Sequence, residues 1–91
     1  MEFPLIVIHK NITLKLFDWM EYPKGKPARN VEAFNKRGES IWVIEDIGGG
    51  DADCYTHISS SNGEIHAFNF MCYDCIIDEE TGKVLSKTFT K

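Results

Sequence analysis

The sequence has no lysine or arginine between Arg37 and Lys83. Residues 38–82 nevertheless contain ten acidic residues, whereas the rest of the chain carries all ten basic residues against four acids. Proteins that bind nucleic acid or anionic membrane surfaces need a basic face. The acidic balance therefore argues against direct nucleic-acid binding and against membrane association.

Cysteines and long hydrophobic runs are also scarce. Three cysteines form an odd set in a 91-residue chain that is 43% hydrophobic, which favours free thiols in a reducing compartment over a disulfide framework. The apolar run 5–8 is too short for a signal peptide or a spanning helix, and the residues before it include an acid and a proline. We therefore predict a cytoplasmic protein with a single domain, residues 1–91.

Most of the chain consists of short apolar segments between turn signals, a pattern typical of β-strands. The predicted strands cover residues 5–8, 12–16, 31–35, 40–46, 54–60, 64–69, 73–78 and 83–90. Asn62-Gly63 is a strong hairpin signal. These segments predict an N-terminal hairpin at 4–19, a basic loop at 22–30 and a blade-like meander at 31–90.

A helix over residues 27–36 is the main alternative, because Val31 and Phe34 are three positions apart. An internal similarity argues against it. Residues 31–42 align with residues 74–85, and each copy contains a strand, an Asn or Asp, a glycine turn and a strand with a large apolar residue. The offset of 43 to 44 residues is near the length of a propeller blade. The predicted fold class is all-β, a single antiparallel meander or sandwich of about eight short strands.

Residues 63–68 (Gly-Glu-Ile-His-Ala-Phe) and 77–85 (Ile-Asp-Glu-Glu-Thr-Gly-Lys-Val-Leu) resemble the repeat of PQQ-like β-propellers. The resemblance implies a twisted antiparallel sheet whose edges are open or are covered by the N-terminal hairpin. It does not extend to a quinone site, because a closed propeller needs at least four blades and this chain has material for about one and a half. The small blade-like architecture also looks like that of bacterial immunity proteins, which block toxin domains.

Cys54 with His57, and Cys72 with Cys75, have the spacing of a structural zinc site. Cys54 and His57 fall in a predicted strand, however, where positions three apart face opposite sides. Cys75 lies in an alternating core strand, where a free cysteine behaves as a small hydrophobic residue. We therefore predict buried thiols and no cofactor, with a small zinc-binding domain as an alternative.

Residues 46–53 (Asp-Ile-Gly-Gly-Gly-Asp-Ala-Asp) suggest a phosphate or calcium loop. A phosphate loop runs into a helix, whereas this loop runs into a predicted strand and carries three carboxylates. Calcium-binding glycine-rich repeats need stacked neighbours to complete the coordination. An acidic contact loop and a mobile loop without a ligand are the other interpretations.

The histidines are scattered and no serine stands in a nucleophile elbow, so we predict no enzymatic activity.

The acidic stretch suggests the function. Nucleases are basic because they hold a polyanionic backbone. We predict an immunity protein that covers the active site of a cognate basic toxin domain, a nuclease of a contact-dependent growth inhibition or other polymorphic toxin system in bacteria. The predicted partner-binding residues are Asp46, Asp51, Asp53, Glu79 and Glu80 for charge, with Tyr55, Tyr73 and Trp19 as aromatic anchors. The predicted core aromatics are Phe17, Phe34, Trp42, Phe68 and Phe89. A self-associating β module is the alternative class, and the sequence leaves homo-oligomerisation open.

Overall fold

The computed structural model describes residues 2–90 apart from the side chain of Asp51, and this part of the chain contains eight β-strands and no α-helix. The strands are β1 (Leu5–His9), β2 (Ile12–Leu16), β3 (Val31–Phe34), β4 (Ser40–Val43), β5 (Tyr55–Ser61), β6 (Glu64–Asn69), β7 (Tyr73–Ile77) and β8 (Val84–Phe89). Two single-turn 3-10 helices, Trp19–Glu21 and Gly50–Ala52, lie in the connecting loops. The predicted all-β class of about eight strands is confirmed.

The strands form two antiparallel sheets of four strands each, in the orders β1-β2-β3-β4 and β5-β6-β7-β8. Strands that are neighbours in a sheet are also neighbours in the sequence, so each sheet is a meander. The helix considered as an alternative over 27–36 is absent, and the predicted strand is found there instead, since β3 lies at Val31–Phe34 and pairs with β2. The predicted meander over 31–90 is divided, because β3 and β4 extend the sheet of the N-terminal hairpin while β5–β8 form the second sheet.

One hydrophobic core joins the two sheets. Alternate residues of β2, β3, β6 and β7 point inward, as the two-residue period of a β-strand requires. The buried core residues are Leu14, Leu16, Val31, Ala33, Trp42 and Ile44 from the first half of the chain and Tyr55, Ile58, Ile65, Ala67, Cys75 and Ile77 from the second. Because both halves contribute to the same cluster, the molecule is a two-layer β-sandwich.

The prediction for the aromatic residues is only partly correct. Trp42 is buried, but Phe17, Phe34 and Phe68 are half-buried. Phe34 and Phe68 each follow an inward-pointing alanine and therefore face outward. Phe89 is 58% exposed because it lies at the end of the edge strand β8.

The β5–β6 hairpin confirms the turn signal in the sequence. Asn62 and Gly63 have φ angles of 53° and 77°, both in the left-handed region. A two-residue turn of this kind matches the right-handed twist of the flanking strands. It sets the register in which Ser61 pairs with Glu64, so that Ile65 points into the core.

Asn30 connects the two sheets through three hydrogen bonds. Its Nδ2 donates to the backbone oxygen of Phe17 at 2.9 Å and to that of Tyr55 at 2.8 Å, while its Oδ1 accepts from the Tyr55 backbone N–H at 2.9 Å. Asn30 is fully buried, and buried backbone groups need such partners. This side chain therefore fixes where β5 begins relative to the end of β2.

Candidate functional site

Five acidic residues lie in two segments that hydrogen bonds join, the chain that leaves β4 and the turn between β7 and β8. We call this set the acidic rim, and its members are Glu45, Asp46, Asp78, Glu79 and Glu80. The Glu45 backbone N–H donates to the backbone oxygen of Gly82 at 3.0 Å, and the Val84 N–H donates to the Glu45 carboxylate at 2.9 Å. These two bonds join segments from different sheets, so the rim spans the sandwich at one end.

The β7–β8 turn has a well-defined shape. The Asp78 carboxylate accepts the Glu80 N–H at 2.8 Å, and the Asp78 backbone oxygen accepts the Gly82 N–H at 2.9 Å. Trp42 Nε1 donates to the backbone oxygen of Glu79 at 2.9 Å. Gly82 lies against the Trp42 ring with φ +78°, and a Cβ there would come within 2.5 Å of Trp42 Cε3. The turn thus packs against the indole ring of Trp42, and this contact fixes the backbone that carries the acidic side chains.

Glu79 also interacts with the first sheet. Its Oε1 lies 2.8 Å from His9 Nε2 and 3.0 Å from Lys10 Nζ, and the other ring nitrogen of His9 lies 2.6 Å from Ser60 Oγ. Hydrogen bonds from His9 and from Lys10 hold the pKa of the Glu79 carboxyl below its ordinary value. His9 is only 1% exposed, so this serine–histidine–carboxylate chain connects three separate elements through a buried ring.

The other rim carboxylates have a cation nearby, since Lys87 lines the same groove as Glu45 and Asp46. Among the residues that the structure describes, Glu45, Asp46, Asp78 and Glu80 form no ion pair. Like charges held close together raise the local potential and attract cationic groups. The acidic rim is therefore a predominantly negative surface, and among the described residues its ion pairs form at Glu79.

A groove runs beside the rim along β8. It has a volume of about 360 Å³ and is lined by Glu45, Asp46, Ile47, Val84, Leu85, Ser86 and Lys87. Leu85 is 63% exposed and adds an apolar contact next to the carboxylates. β8 pairs only with β7 within its sheet, so its outer edge can accept hydrogen bonds from an extended segment.

Two of the predicted binding residues are buried. Asp53 Oδ2 accepts the backbone N–H groups of Ile47 and Gly49, each at 2.8 Å, and its Oδ1 accepts Asn69 Nδ2 at 2.8 Å. Asp53 therefore shapes the glycine loop from inside. The fully buried Tyr55 donates its hydroxyl to the backbone oxygen of Glu45 at 2.7 Å, and burial raises its pKa far above the ordinary range. The prediction that these two residues contact a partner is wrong, because neither has exposed surface.

The other predicted residues are dispersed. Tyr73 on β7 packs edge-on against Phe89, with ring centroids 5.5 Å apart, and Lys87 Nζ lies 5.0 Å from the Tyr73 ring. Trp19 packs edge-on against Phe3 and lines a cleft of about 310 Å³ with Lys24 and Lys26, so it is grouped with cations. Asp46, Glu79 and Glu80 lie in the acidic rim. The backbone of Asp51 lies in the 3-10 helix Gly50–Ala52, but its side chain is outside the described part of the structure.

The four residues of the zinc alternative do not come together. Cys54 and Cys75 are buried, His57 is exposed on β5, and Cys72 is a half-buried turn residue with φ 70°. Within the described part of the chain, no three histidine, cysteine, aspartate or glutamate side chains are arranged to hold a metal ion. Burial raises the pKa of the Cys54 thiol, and it raises the pKa of Cys75 to about 11. The thiols are thus free, and two of them are buried.

A shallow depression on the outward face of the second sheet is a further polar feature. It has a volume of about 510 Å³ and is lined by His57, Ser59, Ser61, His66, Phe68 and Asp74. His66 lies between two carboxylates, with Nδ1 3.3 Å from Asp74 and Nε2 3.5 Å from Glu64. This face carries the two carboxylates Glu64 and Asp74 beside His66, fewer than the five of the acidic rim.

Sequence reasoning missed two of the rim residues, Glu45 and Asp78. The signal for Asp78 was the spacing Asp-x-Glu followed by Thr-Gly, since an Asp side chain commonly accepts the N–H two residues later in a turn. Glu45 had no comparable local signal, because its position depends on Gly82 and Val84 in the other sheet.

Fold and site together define a small antiparallel β-sandwich with an acidic, edge-strand surface, and no described helix is long and apolar enough to cross a membrane. The chain belongs to the family described as a domain of unknown function (DUF7957), which matches residues 4–89. Comparison with curated proteins and with solved structures gives no significant match.

Proposed function

We propose that this protein binds a basic protein partner at the acidic rim, and that the partner is a bacterial toxin domain, a nuclease, whose active site it covers. The observation that supports this proposal is the group of carboxylates, four of the five without an ion pair among the described residues, beside a groove with the exposed Leu85. A nuclease presents a cationic cleft of complementary charge.

The geometry suggests that the charges determine the association rate and that the direct contacts determine the dissociation rate. Carboxylates on the rim steer a cationic surface toward the protein and speed association. Leu85 and the open edge of β8 supply the apolar contact and the backbone hydrogen bonds that slow dissociation. Since a nuclease toxin acts on nucleic acid inside the cell, we place its inhibitor in the cytoplasm.

The first experiment is genetic. Deletion of this reading frame should be harmful only while the gene immediately upstream is intact, because the upstream product would then act without its inhibitor. Deletion of both genes should restore growth. A single deletion without any growth defect would contradict the toxin-neutralising role.

The second experiment measures binding to the upstream-encoded toxin domain. The double variant Glu45→Lys/Asp46→Lys should lower the association rate at least about tenfold at low salt, and the dissociation rate should change less. Glu39→Lys, with half the change of charge, is the control, since Glu39 is an exposed acid at the opposite end of β4. A binding constant that does not change with salt, or equal effects of control and rim variants, would refute binding at the acidic rim.

A further inference from the structure

The outward face of the first sheet is unusually apolar. Strand register places Ile6, Lys15, Glu32 and Val43 in one row across the four strands, and Ile8, Thr13, Phe34 and Ser40 in the next. On the edge strand β1, Ile6 is 54% and Ile8 64% exposed. On the other edge strand, β4, Val43 is 40% exposed, and Ile41, the extra residue where the register shifts, is 43% exposed.

The outward rows of the second sheet are more polar. They consist of Ser59, His66, Ile76 and Ser86 and of His57, Phe68, Asp74 and Thr88, and the two large apolar residues among them, Ile76 and Phe68, are half-buried. Scattered single aliphatic residues on a surface are ordinary, whereas here they form one pair on each edge strand, on either side of the charged and polar residues of β2 and β3. The first sheet therefore has an outward face suited to contact with another protein surface.

The middle of this face carries two opposite charges that do not pair with each other. Lys15 and Glu32 are directly opposed in the β2–β3 ladder, a position that normally favours an ion pair. Instead, Lys15 Nζ lies 4.9 Å from the centre of the Phe34 ring, and Glu32 accepts the Ser40 hydroxyl at 2.6 Å. In the described part of the chain neither charge has an ion-pair partner. Both are available to a partner that places the opposite charge above them.

A second copy of the same face meets this requirement. A twofold axis parallel to the strands and running between β2 and β3 exchanges β1 with β4 and β2 with β3. It places Lys15 of each copy over Glu32 of the other, and Ile6 of each copy over Val43 of the other. Two sheets facing each other pack about 10 Å apart with their strands roughly aligned. The charge pattern and the apolar pattern are therefore both self-complementary, as a symmetric dimer interface requires.

We propose that the protein forms a symmetric homodimer through the outward face of its first sheet. The two β-sandwiches pack face to face, with the four aliphatic side chains Ile6, Ile8, Ile41 and Val43 of each copy buried and with two Lys15–Glu32 pairs across the axis. The acidic rim and β8 are built largely from the second half of the chain, so this dimer is a property separate from the proposed toxin binding.

Sedimentation of the full chain over a concentration series tests the dimer. The charge-reversal variants Lys15→Glu and Glu32→Lys should each sediment as a monomer, because each places like charges across the axis. An equimolar mixture of the two variants should form a heterodimer, because all the facing charges are then opposite. Far-UV circular dichroism should show that both variants stay folded.

A matched pair of aliphatic variants identifies the surface. Ile8→Glu should raise the dimer dissociation constant at least about 100-fold, since a carboxylate would be buried in both copies. Leu85→Glu changes a residue of nearly equal exposure, 63% against 64%, on the other sheet and should leave the dimer intact. The proposal is overturned if the native chain is a monomer at about 1 mM, if the mixed variants stay monomeric, or if Leu85→Glu disrupts a dimer that Ile8→Glu leaves unchanged.

Discussion

Replacement of Asn30 by alanine should remove the main polar connection between the two sheets. The side chain makes three hydrogen bonds, each of about 0.5–1.5 kcal/mol net, and its loss leaves the buried Tyr55 N–H without its partner, at a further cost of about 1–3 kcal/mol. We therefore expect Asn30→Ala to lower the free energy of unfolding by about 2.5–7.5 kcal/mol. This is a large fraction of the roughly 5–14 kcal/mol expected for a domain of this length.

Urea denaturation followed by tryptophan fluorescence measures this loss. With a slope of at most about 2 kcal/mol per molar urea, the midpoint should fall by about 1.2 M or more. Asn11→Ala is the matched control, because Asn11 is exposed in the β1–β2 turn, and it should change stability by less than about 0.5 kcal/mol. A midpoint for Asn30→Ala within about 0.5 M of the native value, at an unchanged slope, would refute the role assigned to these bonds.

Three further predictions concern the turn, the thiols and pH. In the same denaturation assay, Gly82→Ala should lower the free energy of unfolding by at least about 2 kcal/mol more than Gly25→Ala does. Both glycines have positive φ, but only Gly82 faces the Trp42 ring. Equal losses of stability would contradict the tight contact. Iodoacetamide at about pH 8 should alkylate Cys72 before the buried Cys54 and Cys75 in the folded protein, as intact mass can show, and early modification of Cys75 would contradict its burial. Folding lowers the pKa of Glu79, so its stabilising contribution is present above about pH 4.5 and is lost as the pH falls through the folded pKa. Glu79→Gln should therefore reduce the loss of stability on the acid side of a stability-against-pH curve. The control Glu80→Gln should leave that loss unchanged.

The strands could be predicted from the sequence because each sheet buries one face. The segment 64–69 alternates between outward and inward side chains throughout, and its predicted limits match β6. The Asn62-Gly63 turn is also a local property, since both residues tolerate the left-handed backbone. Such features depend on residues that are close together in the chain.

The errors arise where alternation is broken or where distant segments meet. A register shift between Tyr55 and His57 allows Tyr55 and Ile58, three positions apart, both to be buried, and no residue pattern announces this shift. Tyr55 was therefore predicted as a surface anchor. The strand predicted over 40–46 ends at Val43 for a related reason, since the residues beyond it bond to the turn of the other sheet.

The candidate site was half predictable. Asp46, Glu79 and Glu80 were found because acids near turn signals are usually exposed. Asp53 has the same local context but is buried, because Asn69 and two loop N–H groups surround its carboxylate. The burial of Asp53 depends on Asn69 of β6, which comes later in the sequence, so the residues around Asp53 do not predict it.

The meander order of the two sheets has a consequence for how the chain folds. Every ladder joins strands that are consecutive in the sequence, so each pairing closes only a short loop and carries a small entropic cost. The long-range step is the docking of one four-stranded meander onto the other, since the core draws on both halves. A β protein with such local pairing should fold faster than a Greek-key sandwich of equal length. Its two meanders need each other for stability, because neither can bury its apolar face alone.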